Sequence, residues 1–143
     1  MAVTISLYNH TAKRFGEGTN ASGDTYKLML CTAATFDAAD ATLAEITKTE
    51  TSNGAGYTTG GQALTGVAVT TVSTNGAKFD ANDVTWTASG GPITAAYGII
   101  YNDTDTDDPP VAFVDFGGTE TAGDGTDFKV TWDASGIVTF TVA

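Results

Sequence analysis

Val84-Thr85-Trp86-Thr87-Ala88, then Ser89-Gly90-Gly91-Pro92, then Ile93-Thr94-Ala95-Ala96-Tyr97-Gly98-Ile99-Ile100-Tyr101: the fold class is decided in this stretch. Val84, Trp86 and Ala88 alternate with threonines, the period of a strand with one buried face. The Ser-Gly-Gly-Pro run ends that strand, because glycine and proline punctuate regular structure. Ile93 to Tyr101 is nearly continuous in apolar residues and suits a central strand buried on both sides.

The same pattern extends in both directions. Tyr26 to Thr32 (YKLMLCT) is a strong strand, and Leu64 to Val72 (LTGVAVTTV) another. Asn75-Gly76 separates the latter from Ala77 to Asp80, and Asn-Gly predicts a two-residue type I′ hairpin with positive φ at both residues. Val111 to Phe116, Asp127 to Trp132 and Ile137 to Val142 complete the clear strands, with Gly117 to Thr126 expected as a connector and Asp133 to Gly136 as a turn. Ile46 to Thr51 is a weaker strand candidate. Phe36 to Glu45 is rich in Ala and Asp; Thr42 and Glu45 have capping-box spacing, so a helical turn and a plain loop are both open. Near the start, Ile5, Tyr8, Ala12 and Phe15 fall at helical spacing before Gly16, which predicts a short helix over Ile5 to Phe15. Short strands at hairpin spacing with little helix define an all-β protein. The expectation is one antiparallel, jelly-roll-like β-sandwich over residues 1–143, of about eight or nine strands, with residues 1–22 as an N-terminal arm and helix.

Composition sets the chemical limits. The chain has 143 residues, and its net charge at pH 7 is −11. Phosphate backbones and anionic membrane surfaces repel such a surface, so neither nucleic acid nor membrane is an expected partner. The single cysteine, Cys31, excludes an internal disulfide. The opening Met1-Ala2-Val3-Thr4 lacks a basic region followed by an apolar run, so no secretory signal is expected and synthesis in the cytoplasm is.

Catalytic chemistry has little to start from. Cys31 lies in an apolar strand, where a thiol behaves as a small inert hydrophobe rather than a nucleophile. His10, the only histidine, belongs to the predicted helix and has no partner at metal-ligand or acid–base spacing. Carboxylates abound but mostly in Gly- and Thr-rich turns, where Asp serves turn geometry, and no pair stands out. No catalytic residue, no cofactor and no enzymatic activity is expected. The best cation candidate is Asp103, Asp105 and Asp107, whose alternation starts like a calcium loop. Asp108-Pro109 and Val114 stand where such a loop needs its glycine and its bidentate glutamate, so a solvated acidic loop is the competing reading. Asn9, Asn20 and Asn102 begin glycosylation triplets, which carry little meaning in a threonine-rich chain. Trp86 and Trp132 fall at inward strand positions and are expected in the core.

Three stretches taken together resemble a family of small virion structural proteins of tailed bacteriophages. They are Tyr26 to Thr32; Phe79-Asp80-Ala81-Asn82-Asp83-Val84-Thr85-Trp86 with Ser89 to Ala95; and Tyr97-Gly98-Ile99-Ile100-Tyr101-Asn102-Asp103-Thr104 leading into Val114 to Gly118. The similarity spans nearly the whole chain, and its motifs mark a fold without carrying a functional residue. It implies a particle component, a head decoration (cement) protein on the capsid surface whose partners are the major capsid protein and itself, as homodimer or homotrimer. A tail, baseplate or fibre-associated component shares all these features. A carbohydrate-binding module with Trp86, Tyr97 or Tyr101 as platform is the reading outside the virion.

Overall fold

The structure is a computed structural model and describes residues 3–72 and 75–142. In chain order the elements are β1 (Thr4–Leu7), α1 (Asn9–Glu17), β2 (Tyr26–Ala34), β3 (Lys48–Glu50), β4 (Gln62–Ala63), β5 (Ala68–Val72), β6 (Gly76–Asp80), β7 (Val84–Thr87), β8 (Ile93–Asn102), β9 (Pro110–Ala122), β10 (Asp127–Val130) and β11 (Val138–Thr141). The chain is an all-β sandwich with one short helix near its N-terminus, as its patterning predicts. One sheet runs β1-β9-β8-β2-β3 with β4 also on β2; β7 pairs with β10, and β5, β6 and β11 form a third sheet. The sheets are thus unequal, where a jelly roll has two of four strands. Every strand pair is antiparallel.

The large sheet is covered on both faces. On β2, Tyr26, Leu28 and Leu30 face the two small sheets, which contribute Phe79, Trp86, Phe128, Val130 and Val138 to the same core. Met29 and Cys31 point the other way, with Ile99, Tyr101 and Phe113. That second face is closed by Tyr8 and by Phe36, Leu43 and Ile46. The segment that was open between helical turn and loop therefore forms a turn-rich cover. Glu45 accepts the N–H groups of Ala41 at 2.8 Å and Thr42 at 3.0 Å, half of a capping box without a helix behind it. Burial on both faces explains why β8 is continuously apolar. Each fully buried Leu, Ile or Phe contributes ~1.5–3 kcal/mol of transfer free energy to this arrangement.

Three expectations are corrected. The predicted helix over Ile5 to Phe15 is a strand followed by a helix. Residues Thr4 to Leu7 pair with Asp115 to Ala112 and close one edge of the large sheet, an arrangement that local helical spacing does not encode. Tyr8 caps α1 in an extended conformation, Thr11 Oγ1 locks the helix to the Val111 carbonyl at 2.7 Å, and the stop is Gly18 at φ 77° rather than Gly16. Second, the predicted connector after Phe116 is partly strand. β9 passes through Gly117 and Gly118, both at positive φ, and pairs again with β8 from Glu120 to Ala122. The two glycines absorb the bulge that the shift in register requires. Third, the Asn-Gly hairpin is not a two-residue turn. Val72 pairs with Gly76, so the connection spans 73–75, and Asn75 alone of Asn75 and Gly76 has positive φ, at 47°. Residues 73 and 74 of that connection lie outside the described residues.

Candidate functional site

The acidic loop between β8 and β9 is built as a junction. Asn102, at the end of β8, is 0% exposed. Its amide donates to Asn20 Oδ1 at 3.1 Å and to Asp24 Oδ2 at 2.9 Å, and its own oxygen accepts the Thr104 N–H at 3.0 Å. Asn20 Oδ1 also accepts Arg14 Nε at 3.1 Å, so two donors fix the orientation of the Asn20 amide. Asp24 Oδ2 additionally caps the turn at the Ala21 N–H, 3.1 Å away. Backbone bonds continue the tie, from Asp103 N–H to Thr25 and from Leu43 N–H to Asp107. The end of α1, the start of β2 and the loop are thus one polar network. Several buried hydrogen bonds sharing Asn102, Asn20 and Asp24 hold the three segments in one arrangement, although the Asn20 Nδ2 itself finds no partner among the described residues.

This network decides how the candidate cation ligands are used. Asp105 is ion-paired with Arg14, and Asp103 with Lys27 at 3.1 Å. Asp107 stands at φ 69° and Asp108 at φ 47°, conformations that turn the chain back toward β9. Among the described residues no three His, Cys, Asp or Glu side chains gather as a metal ion would need. Asp103, Asp105 and Asp107 are therefore not brought together; two of the three have cationic partners instead. The Asp108 carboxyl is pushed above its ordinary value, first by burial and then by the neighbouring Asp103 charge. Arg14, Asn20, Asp24 and Asn102 escaped sequence reasoning, since their partners lie as far as 91 residues away.

A second polar knot holds the β3–β4 connection. The Tyr57 hydroxyl donates to Glu50 Oε1 at 2.7 Å and accepts the Leu30 N–H at 3.1 Å. Glu50 Oε1 takes the Gly60 N–H at 2.6 Å, and the Tyr101 hydroxyl donates to the Gly60 carbonyl at 2.6 Å. Burial, and for Tyr57 the bond to Glu50, raise both phenol pKa values far above the ordinary range. These hydroxyls serve as fixed structural donors.

The remaining candidates fall in the framework. Cys31 is fully buried, and burial pushes its thiol up to about 12, the opposite of an activated nucleophile. His10 sits in the first turn of α1. Trp86, Trp132 and Tyr101 are buried and Tyr97 half-buried, so these rings present no flat exposed platform for a sugar. Asn20 and Asn102 of two glycosylation triplets are buried as well. Among the shallow depressions on the described surface, two are larger than 300 Å³. One, of about 410 Å³, lies where Thr32, Thr47, Lys48 and Tyr97 meet the β9 bulge at Gly118. The other, of about 380 Å³, runs between α1 and the three-stranded sheet and is lined by Ala12, Phe15, Val69, Ala77 and Phe140 together with Asn20.

No family model matches the chain, and neither a curated protein nor a solved structure is detectably similar to it. Among the described residues no helix is long and apolar enough to cross a membrane.

Proposed function

We propose that this chain is a structural component of a tailed-bacteriophage particle, a head decoration protein that seats on the outer surface of the major capsid lattice and stabilises it. The observation that carries this reading is where the three phage-like stretches fall. They are β2, the end of β6 leading into β7, and β8 with its continuation into β9. These strands meet at the centre of the molecule: β2 pairs with β8 from Tyr26↔Asn102 to Cys31↔Tyr97, and the Tyr26 ring meets Phe79 edge-on at 4.9 Å. The resemblance therefore covers a single cooperative core.

The physical character of the molecule supports the same reading. A sheet covered on both faces, with its long loop tied into a polar network, makes a rigid body that loses little entropy on docking. A net charge of −11 favours the outside of a head over contact with packaged DNA. Stabilisation follows from mass action: a protein that binds the mature lattice and not its broken form adds its binding free energy to the particle. The test is to mix the purified protein with heads assembled without it. Co-sedimentation, with heads that survive higher temperature, is the expected result. Heads that sediment without the protein at saturating concentration contradict the proposal.

A further inference from the structure

We infer that β5 is a self-pairing edge through which two copies of this chain join into one continuous sheet. Among the described residues β6 is the only strand paired with β5, so every second residue of β5 directs its N–H and C=O outward. Edge strands of soluble proteins are ordinarily blunted by charge, proline or a bulge. β5, Ala68-Val69-Thr70-Thr71-Val72, has none of these, and it pairs with β6 in unbroken register. Two of its side chains are among the large apolar groups left open to solvent, Val69 at 44% and Val72 at 39%.

Charge selects the occupant. No Asp, Glu, Lys or Arg occurs from Thr51 through Ala77, although the chain carries 23 charged residues. The one nearby cation on β6, Lys78, is held by Asp80 at 3.0 Å and by the Ala134 carbonyl at 2.9 Å. A basic partner would find no anion along this strand. A second copy, itself at −11, is repelled over most of the surface and meets no like charge here. The strand also fits itself. Antiparallel pairing about a two-fold axis at Thr70 sets Ala68 of one copy beside Val72 of the other, and Val69 beside Thr71. The half-exposed valines are then covered, and Val69 keeps its place at the rim of the groove against α1. The product is a sheet in the order β11-β6-β5-β5-β6-β11.

The test is sedimentation of the full chain from about 10 µM to about 1 mM, together with amide hydrogen exchange over the same range. Expected are a monomer–dimer equilibrium and a slowing of exchange at β5 amides as concentration rises, with β1 and β11 amides unchanged. Thr70 is exposed, so Thr70→Glu and Thr70→Lys keep the fold. Each places like charges face to face across the axis and weakens the dimer about fivefold. Mixing the two variants restores it, which a folding defect would not do. Thr139→Glu, on the opposite edge at β11, leaves the dimer intact. A monomer at about 1 mM, concentration-dependent protection at β1 or β11 instead of β5, or a dimer indifferent to Thr70→Glu overturns the inference.

Discussion

Replacing Asn102 with alanine removes the centre of the network that ties the acidic loop to α1 and β2. Three hydrogen bonds are lost, to Asn20, Asp24 and Thr104. The bond to the Asp24 carboxylate is charge-assisted and accounts for ~1.5–3 kcal/mol; the bond to Asn20 adds ~1 kcal/mol. Thr104 is an exposed residue, so water replaces much of the bond its N–H loses. Asp24 keeps the Ala21 N–H and Asn20 keeps Arg14, so neither oxygen is orphaned. The expected destabilisation is therefore ~2–4 kcal/mol, a fall in Tm of roughly 6–16 °C for a chain of this size. Asp105→Asn is the internal comparison. That pair has side-chain exposures of 14% for Arg14 and 40% for Asp105, so solvent screening holds its contribution to ~0–1 kcal/mol. Urea and thermal unfolding of the three proteins at pH 7 measure both. A loss below about 0.5 kcal/mol for Asn102→Ala, or equal losses for the two variants, would refute the idea that hydrogen bonding at Asn102 rather than the surface ion pair holds the loop.

Other outcomes follow from the same packing and hydrogen bonds. Gly61→Ala is expected to lower stability by at least ~2 kcal/mol in chemical denaturation, because Gly61 sits at φ +84° and an added Cβ would overlap the Leu28 carbonyl oxygen; a neutral effect contradicts the close approach to β2. The Cys31 thiol, fully buried with its pKa pushed up to about 12, is expected to ignore a disulfide reagent at pH 8 until the protein is unfolded; rapid native labelling argues against that burial. Glu45 accepts two backbone N–H groups, which hold its carboxyl below the ordinary 4.5. A folded pKa below the unfolded one means that its stabilisation is complete above about pH 4.5 and disappears as pH falls through the depressed value. An NMR titration of the side-chain carboxyl reads this directly, and a value at or above 4.5 refutes the turn contact.

Much of the framework was legible because burial writes a period into a strand. Val84 and Trp86 are buried and Thr85 and Thr87 exposed, as alternation requires. Continuous apolar character correctly marked β8 as covered on both faces. Ile5 was not legible. Its spacing to Tyr8 and Ala12 suits a helix, but pairing with Val114 on a distant strand outweighs that local preference. Nor was the β9 bulge, since Gly117-Gly118 has the same composition in a loop as in a bent strand. The acidic loop was the least legible part. Alternating aspartates have one sequence signature whether they converge on a cation or pair with separate lysine and arginine side chains. Only the fold brings Arg14 to Asp105 and Asn20 to Asn102. Short strands such as β3 and β4 leave too few residues for any period to show.

The proposed role makes this molecule a repeated surface component of a phage head. Its most direct measurement is the copy number of the chain in purified particles, by quantitative mass spectrometry against the major capsid protein. Near-stoichiometric abundance with the capsid subunit is the result predicted here. Particles that contain only a few copies, or none, would contradict it.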